Sequence, residues 1–114
     1  MEGCLFCNIA EGSIPSDKVA ETEHVLAFRD INPAAPTHVL LIPKEHVADS
    51  AAQISGEHGE VLTDLFELAA KVAVDEQLAE GWRLVTNVGA GAGQSVFHLH
   101  LHLLGGRPLG WPPG

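Results

Sequence analysis

Residues 87–104 read Asn87-Val88-Gly89-Ala90-Gly91-Ala92-Gly93-Gln94-Ser95-Val96-Phe97-His98-Leu99-His100-Leu101-His102-Leu103-Leu104. A loop in which glycine recurs at every second position runs directly into histidines that alternate with leucines. A period of two is the signature of a strand with two unlike faces. On such a strand His98, His100 and His102 share one face, with neighbours about 6.5–7 Å apart, while Leu99, Leu101 and Leu103 point into a core. Unpaired histidine is seldom favoured inside a protein, so a row of three points to chemistry rather than packing.

Imidazole is neutral and nucleophilic near pH 7 and can bond covalently to phosphorus. His100, the middle ring, has a histidine on either side, one to orient it and one to bind a phosphate oxygen or shuttle a proton. Upstream, Gly89, Gly91 and Gly93 permit close approach of backbone N–H groups to an anion. Gln94 and Ser95 add side-chain donors where loop and strand meet. A glycine-rich loop by itself is often only a hairpin turn. Joined to an alternating triple histidine, it reads as a phosphate site.

Around this stretch the chain is that of a single domain, residues 1–114, with 46% hydrophobic residues and enough length for a core. Six basic residues against 15 acidic ones give a net charge of -9. That balance argues against a nucleic acid polymer, whose phosphates need clustered cations. It leaves room for a mononucleotide held by a few N–H groups. No apolar run has the length of a membrane span, no secretion signal is evident, and Cys4 and Cys7 are too close for a long-range disulfide. A cytoplasmic, reduced protein is expected.

In order, residues 4–11 form two helical turns with Leu5, Phe6 and Ile9 inward, stopped at Gly12. Lys18–Thr22 and Val25–Phe28 form a hairpin turning at Glu23-His24. Residues 30–36 are a loop pinned by Pro33 and Pro36. Thr37–Ile42 is the most apolar strand, closed by Pro43. Val47–Ile54 reads as a short helix and connector. From Ser55, an N-cap candidate, the period becomes helical, with Val61, Leu65, Leu68 and Val72 on one stripe and Gly81 as the stop. Trp82–Asn87 is a strand, and the tail from Gly105 is irregular. Hairpins, one long late helix and two further strands imply an α+β fold with an antiparallel sheet of about five strands.

His98-Leu99-His100-Leu101-His102-Leu103-Leu104 resembles the motif of the histidine-triad (HIT) superfamily, three histidines alternating with apolar residues. Gly105-Gly106-Arg107 and Trp111-Pro112-Pro113-Gly114 resemble the tail of its Hint branch, the purine nucleoside phosphoramidases. The likeness extends, in order and spacing, through Ile14-Pro15, Ala27-Phe28, Asp30-Ile31, Ala35-Pro36-Thr37-His38, Ile42-Pro43-Lys44, Asn87 and Gly93-Gln94-Ser95. It implies a HIT-like fold whose sheets join across a homodimer. The implied activity is cleavage of the P–N bond of adenosine or guanosine 5'-monophosphoramidates through a nucleotidyl-histidine intermediate, with no cofactor required for catalysis.

By the same resemblance His100 is the nucleophile, His102 a phosphate ligand, His38 a buried partner that orients or relays protons, and Ser95 a donor to the departing amine. Asp30 accepts from the ribose hydroxyls, while Ile31, Phe6, Ile9 and Phe28 line the base pocket. Asn87, Gly93, Gln94 and Ser95 contact phosphate and leaving group, and Trp111 reaches toward the neighbour's site. Several relatives hold a structural zinc, here matched by Cys4, Cys7, His46 and His98. The spacing Cys4-x-x-Cys7 suits a metal, but it equally suits reduced cysteines on a short helix, and both readings stand. Three other functions compete: a dinucleoside polyphosphate hydrolase, a metallohydrolase using paired histidines, and a nucleotide-binding adaptor with little turnover.

Overall fold

The computed structural model describes residues 3–114. Its centre is β3, Thr37–Pro43, a seven-residue run buried at every position. An apolar strand of this kind needs cover on both faces. On one side β3 pairs with β2 (Val25–Arg29), which pairs in turn with β1 (Lys18–Glu21). On the other it pairs with β5 (Leu101–Gly105), which pairs with β4 (Trp82–Val85). The sheet order is β1-β2-β3-β5-β4, antiparallel throughout, as the sequence implies.

Alternation divides this sheet into two unlike faces. Val25, Ala27, Val39, Leu41, Leu101 and Leu103 pack on α2, Gly59–Asp75, through Leu65, Leu68, Ala69 and Val72. Each such leucine or valine contributes roughly 1.5–3 kcal/mol by leaving water. The opposite face carries Leu26, Phe28, Leu40 and Ile42 beneath Phe6 of α1, Leu5–Ala10. Period two puts His38 and His102 on this second face, with His102 opposite Leu40 in the register. The site is therefore built on the face that lacks the long helix.

Several local expectations are corrected. Leu5 is exposed, because a six-residue helix has room to bury only one stripe, and Phe6 takes it. Residues 47–50 are irregular, and short 3₁₀ turns at Ala51–Gln53 and Gly56–His58 precede α2, so Ser55 caps a 3₁₀ turn. The long helix stops at Asp75, well before Gly81, and Gln77 takes the left-handed turn at φ 61°. β5 starts only at Leu101: the Leu99 N–H bonds to the Ala48 carbonyl at 2.9 Å instead of to a neighbouring strand. The two-faced alternation persists upstream of the ladder all the same. Leu99 joins the α2-side core and His100 lies against Phe6.

The C-terminal end of α2 is tied to β2 by Arg29, whose Nη1 and Nη2 donate to the two carboxylate oxygens of Glu76 at 2.7 and 3.1 Å. The guanidinium remains partly solvated, which weakens the attraction. Arg29→Ala is expected to cost about 1 kcal/mol, read as a lower urea midpoint at unchanged slope. A change in slope instead would mean that the pair shapes more than the helix end.

Candidate functional site

Four histidines, His38, His98, His100 and His102, meet on the face that lacks the long helix, and their hydrogen-bond partners fix which nitrogen of each carries the proton. The Ala34 N–H donates to Nδ1 of His38 at 3.0 Å. His38 is thereby protonated on Nε2 and donates to Nδ1 of His102 at 2.9 Å. His102 in turn must carry its proton on Nε2. The His100 Nδ1–H donates to the His98 carbonyl at 2.7 Å, leaving Nε2 with a free lone pair. This outcome is a nucleophilic nitrogen beside a ring that presents an N–H, their centroids 5.0 Å apart.

Burial pushes the His100 imidazole below its ordinary value, against the opposing pull of the His98 carbonyl and Asp30. Burial, with the nearby His100 and His38 rings, pushes His102 down to about 4. Both rings are thus neutral at pH 7, which a nucleophile and a neutral donor require. The same shifts bear on stability. Between pH 6.5 and about 4 the unfolded chain binds the protons that folded His102 refuses, so stability is full above pH 6.5 and is lost as pH falls through that window. With chelator present, the urea midpoint is expected to drop from pH 7 to pH 5, and less steeply in His102→Asn. An equal slope in that variant would assign the loss to other groups.

Asp30 lies at the rim, with Oδ1 accepting from the Asn32 N–H at 2.8 Å and Oδ2 3.4 Å from His38 Nε2. Phe6 and Phe28 are buried and meet edge to face at 5.6 Å, Phe6 also edges onto His100 at 4.9 Å, and Ile9 is half-buried beside them. Ile31 is 92% and Trp111 84% exposed, standing away from any packing within the chain. A cleft of about 680 Å³ between residues 77–83 and 106–109 contains none of these groups, so volume alone would misplace the site.

The glycine loop closes on itself. Gly89 and Gly93 take left-handed φ of 86° and 95°, a region glycine enters freely. The N–H groups of Ala92 and Gln94 donate to the Gly89 carbonyl, and that of Gly93 to Ala90. Gly93 packs near the Asn87 amide, and Ser95 is exposed at the loop's exit. The Gln94 side chain is buried and engaged within the protein: Oε1 accepts from the Gly89 N–H at 2.9 Å, and Nε2 donates to the carbonyls of Asp49 and Val96. Thr86, unremarked in the sequence, donates its hydroxyl to the His100 carbonyl at 2.8 Å. Position 86 follows directly on β4, which pairs with β5, so strand pairing was the available signal.

Next to His100, Cys4, Cys7, His46 and His98 converge. His98 donates Nε2–H to the Pro43 carbonyl at 2.8 Å, and His46 donates its own to Asp49 Oδ1 at 2.7 Å. Both rings then turn an unprotonated Nδ1 toward the sulfurs. His98 Nδ1 is 3.2 and 3.5 Å from Cys4 and Cys7 Sγ, and His46 Nδ1 is 3.6 and 4.0 Å from them. The sulfur–nitrogen edge of a tetrahedral zinc site is about 3.5 Å, given bonds of about 2.3 and 2.0 Å. Burial raises the Cys4 thiol, but hydrogen bonds with Cys7 together with the His46 ring outweigh it and leave Cys4 lowered, while burial and Cys4 raise Cys7. Donor type, tautomer and spacing all fit a closed four-ligand ion.

Asp30, His38 and His102 also lie close enough to share a metal. Their tautomers forbid it. A metal on His38 Nε2 would move the proton to Nδ1, where it would face the Ala34 N–H donor.

A family model described as the HIT domain matches residues 11–109. The purine nucleoside phosphoramidase of Escherichia coli K12 is 46% identical over 110 residues, covering 96% of this chain and 92% of its own. A maize protein named 14 kDa zinc-binding protein is 50% identical over 111 residues, covering 96% and 87%. Among solved structures, a HIT family hydrolase from Legionella pneumophila superposes with a TM-score of 0.94 at 52% identity, covering 98% of this chain and all of its own.

Proposed function

The chain belongs to the HIT domain family, and on that footing we propose that it hydrolyses the P–N bond of purine nucleoside 5'-monophosphoramidates. The observation that carries this reading is the tautomer pair: a lone pair on His100 Nε2 next to an Nε2–H on His102. His100 attacks the α-phosphorus in line, a bond forms from Nε2 to phosphorus, and the bond to the leaving amine breaks. The amine departs with a proton from the exposed Ser95 hydroxyl, which solvent reprotonates. His102 donates to a non-bridging phosphate oxygen. Water then attacks the phosphorus of the nucleotidyl-histidine, releasing the nucleoside monophosphate and restoring His100.

Asp30 takes the ribose hydroxyls, and Phe6, Ile9, Phe28 and Ile31 the purine. Asn87 and the loop at Gly93 and Gln94 surround the phosphate. The scheme draws on no cofactor. The Cys4–Cys7–His46–His98 set would hold a structural zinc, which supplies a cross-link between α1 and the sheet, in keeping with a reducing cytoplasmic setting. Among the described residues no helix is long and apolar enough to cross a membrane. The partner of this chain is a second copy joined along the open edge of β4, with Trp111 extending toward the neighbouring site.

The test compares initial rates on adenosine 5'-phosphoramidate and on a diadenosine polyphosphate, with intact-mass detection of a nucleotidyl adduct. Faster phosphoramidate turnover with an adduct of one nucleotidyl mass is expected. A preference for the polyphosphate would reassign the substrate, and tight nucleotide binding without turnover of either would make the chain a binding module.

A further inference from the structure

Three contacts join the four-donor sulfur–histidine set to the nucleotide face, and one of them runs to the phosphate loop. His98 contributes Nδ1 to the set while its carbonyl holds the His100 Nδ1–H. Phe6, lying between Cys4 and Cys7 on α1, edges onto the His100 ring at 4.9 Å. The third contact is a relay of hydrogen bonds. His46 grips the Asp49 carboxylate at 2.7 Å, the Asp49 carbonyl accepts from Gln94 Nε2 at 2.8 Å, and Gln94 Oε1 accepts from the Gly89 N–H at 2.9 Å. Asp49 itself is exposed, yet its carboxylate and its carbonyl point to two different sites.

We propose that metal occupancy and nucleotide affinity are thermodynamically coupled, with Asp49 and Gln94 as the positioning residues that carry the coupling. An ion in this set would be ligated by His46 Nδ1, and such a bond would fix that ring far more tightly than packing does. A fixed His46 fixes Asp49, and Asp49 fixes the amide of Gln94 on which the Gly89–Gly93 turn is folded. Without the ion, His46 is held by Asp49, by an edge-on contact with the His98 ring and by weak contacts to thiols. The loop then samples more arrangements, and a nucleotide must order it at its own expense. Coupling of this type is reciprocal, so nucleotide must tighten metal binding by the same factor that metal tightens nucleotide binding.

The inference rests on the reading of this face as a nucleotide site, and the experiment separates the two. AMP affinity is measured by calorimetry on zinc-loaded and chelator-stripped protein, and zinc affinity by competition with a chromophoric chelator, with and without saturating AMP. Both ratios are expected to agree at about tenfold, within the usual span of coupling between sites. Asp49→Ala, which loses the grip on His46, should reduce the ratio to about threefold, the remainder passing through α1 and Phe6. Asp49→Asn retains an acceptor oxygen for the His46 N–H and should restore it. A role confined to overall stability would lower both affinities in Asp49→Ala and leave the ratio untouched.

Ratios below twofold in the unaltered protein, or an unchanged ratio in Asp49→Ala, overturn the coupling and leave the nucleotide site standing. AMP binding to neither form overturns both. Should stripping unfold the chain, as circular dichroism would reveal, the zinc-affinity arm still decides. Tightening by AMP in the unaltered protein that is diminished in Asp49→Ala supports the relay, and equal tightening in both overturns it.

Discussion

His100→Ala is expected to lower turnover of a nucleoside 5'-phosphoramidate by on the order of 10⁴-fold or more, the scale seen when a covalent nucleophile is removed. Nucleotide affinity should change by only a few-fold, because the ring's other contacts are within the chain, to the His98 carbonyl, Phe6 and the His102 ring. The adduct in the mass spectrum should vanish with the rate. The loss isolates nucleophilic attack from binding, since His102, Asp30 and the phosphate loop stay in place. His102→Ala should cost less, roughly 10²-fold, as befits removal of one hydrogen bond to developing charge. Turnover of His100→Ala within tenfold of the unaltered protein would remove the nucleophile from the scheme and leave a site that merely binds.

That prediction depends on proton positions, and these mark the limit of what residue order conveys. Alternation of leucine and histidine over residues 98–103 was enough to divide the two faces, because burial of Leu99, Leu101 and Leu103 admits only one orientation of the rings between them. The five strands, the long helix and the short one could be read for the same reason. The tautomers could not. They are set by the Ala34 N–H and the carbonyls of His98 and Pro43; Pro43 is remote in sequence from the ring it holds, and the other two are near neighbours whose backbone groups are aimed only by the folded loop and strand. Gln94 is a comparable case: position suggested a donor at the phosphate, and only the fold brings its amide against Asp49 and Gly89.

The candidate metal ligands divide along the same line. Cys4 and Cys7 announce themselves by spacing, whereas His46 and His98 are matched only through the family resemblance, and it takes the fold to bring the end of β3 and the histidine segment against the sulfurs. Helix ends were less legible still. Gly81 looked like the stop by composition, but Gln77 absorbs the left-handed turn, and the Glu76 N–H has already closed on Val72 and Val74. Local signals of this kind are worth under about 1 kcal/mol and yield to tertiary contacts; here the tie between Glu76 and Arg29 holds the helix end.

Stripping the ion should produce the largest change in stability. In free zinc at about a thousand times its dissociation constant, an ion bound only by the folded chain contributes about 4 kcal/mol. For a chain of this length that corresponds to a fall in Tm of about 15 °C on full chelation. Cys4→Ser with Cys7→Ser should reproduce the fall without chelator, since α1 has just six residues and, past the sulfurs, is held chiefly by Phe6 and its neighbours. The stabilisation should grow as pH rises. Burial and the Cys4 sulfur keep the Cys7 thiol protonated to higher pH than usual, and the ion must displace that proton to bind. A folded, metal-free chain melting within 2 °C of the loaded one would mean that the sulfurs and rings meet by packing alone. Zinc would then have no structural part, while His100, whose Nε2 is freed by a backbone carbonyl, would keep its own.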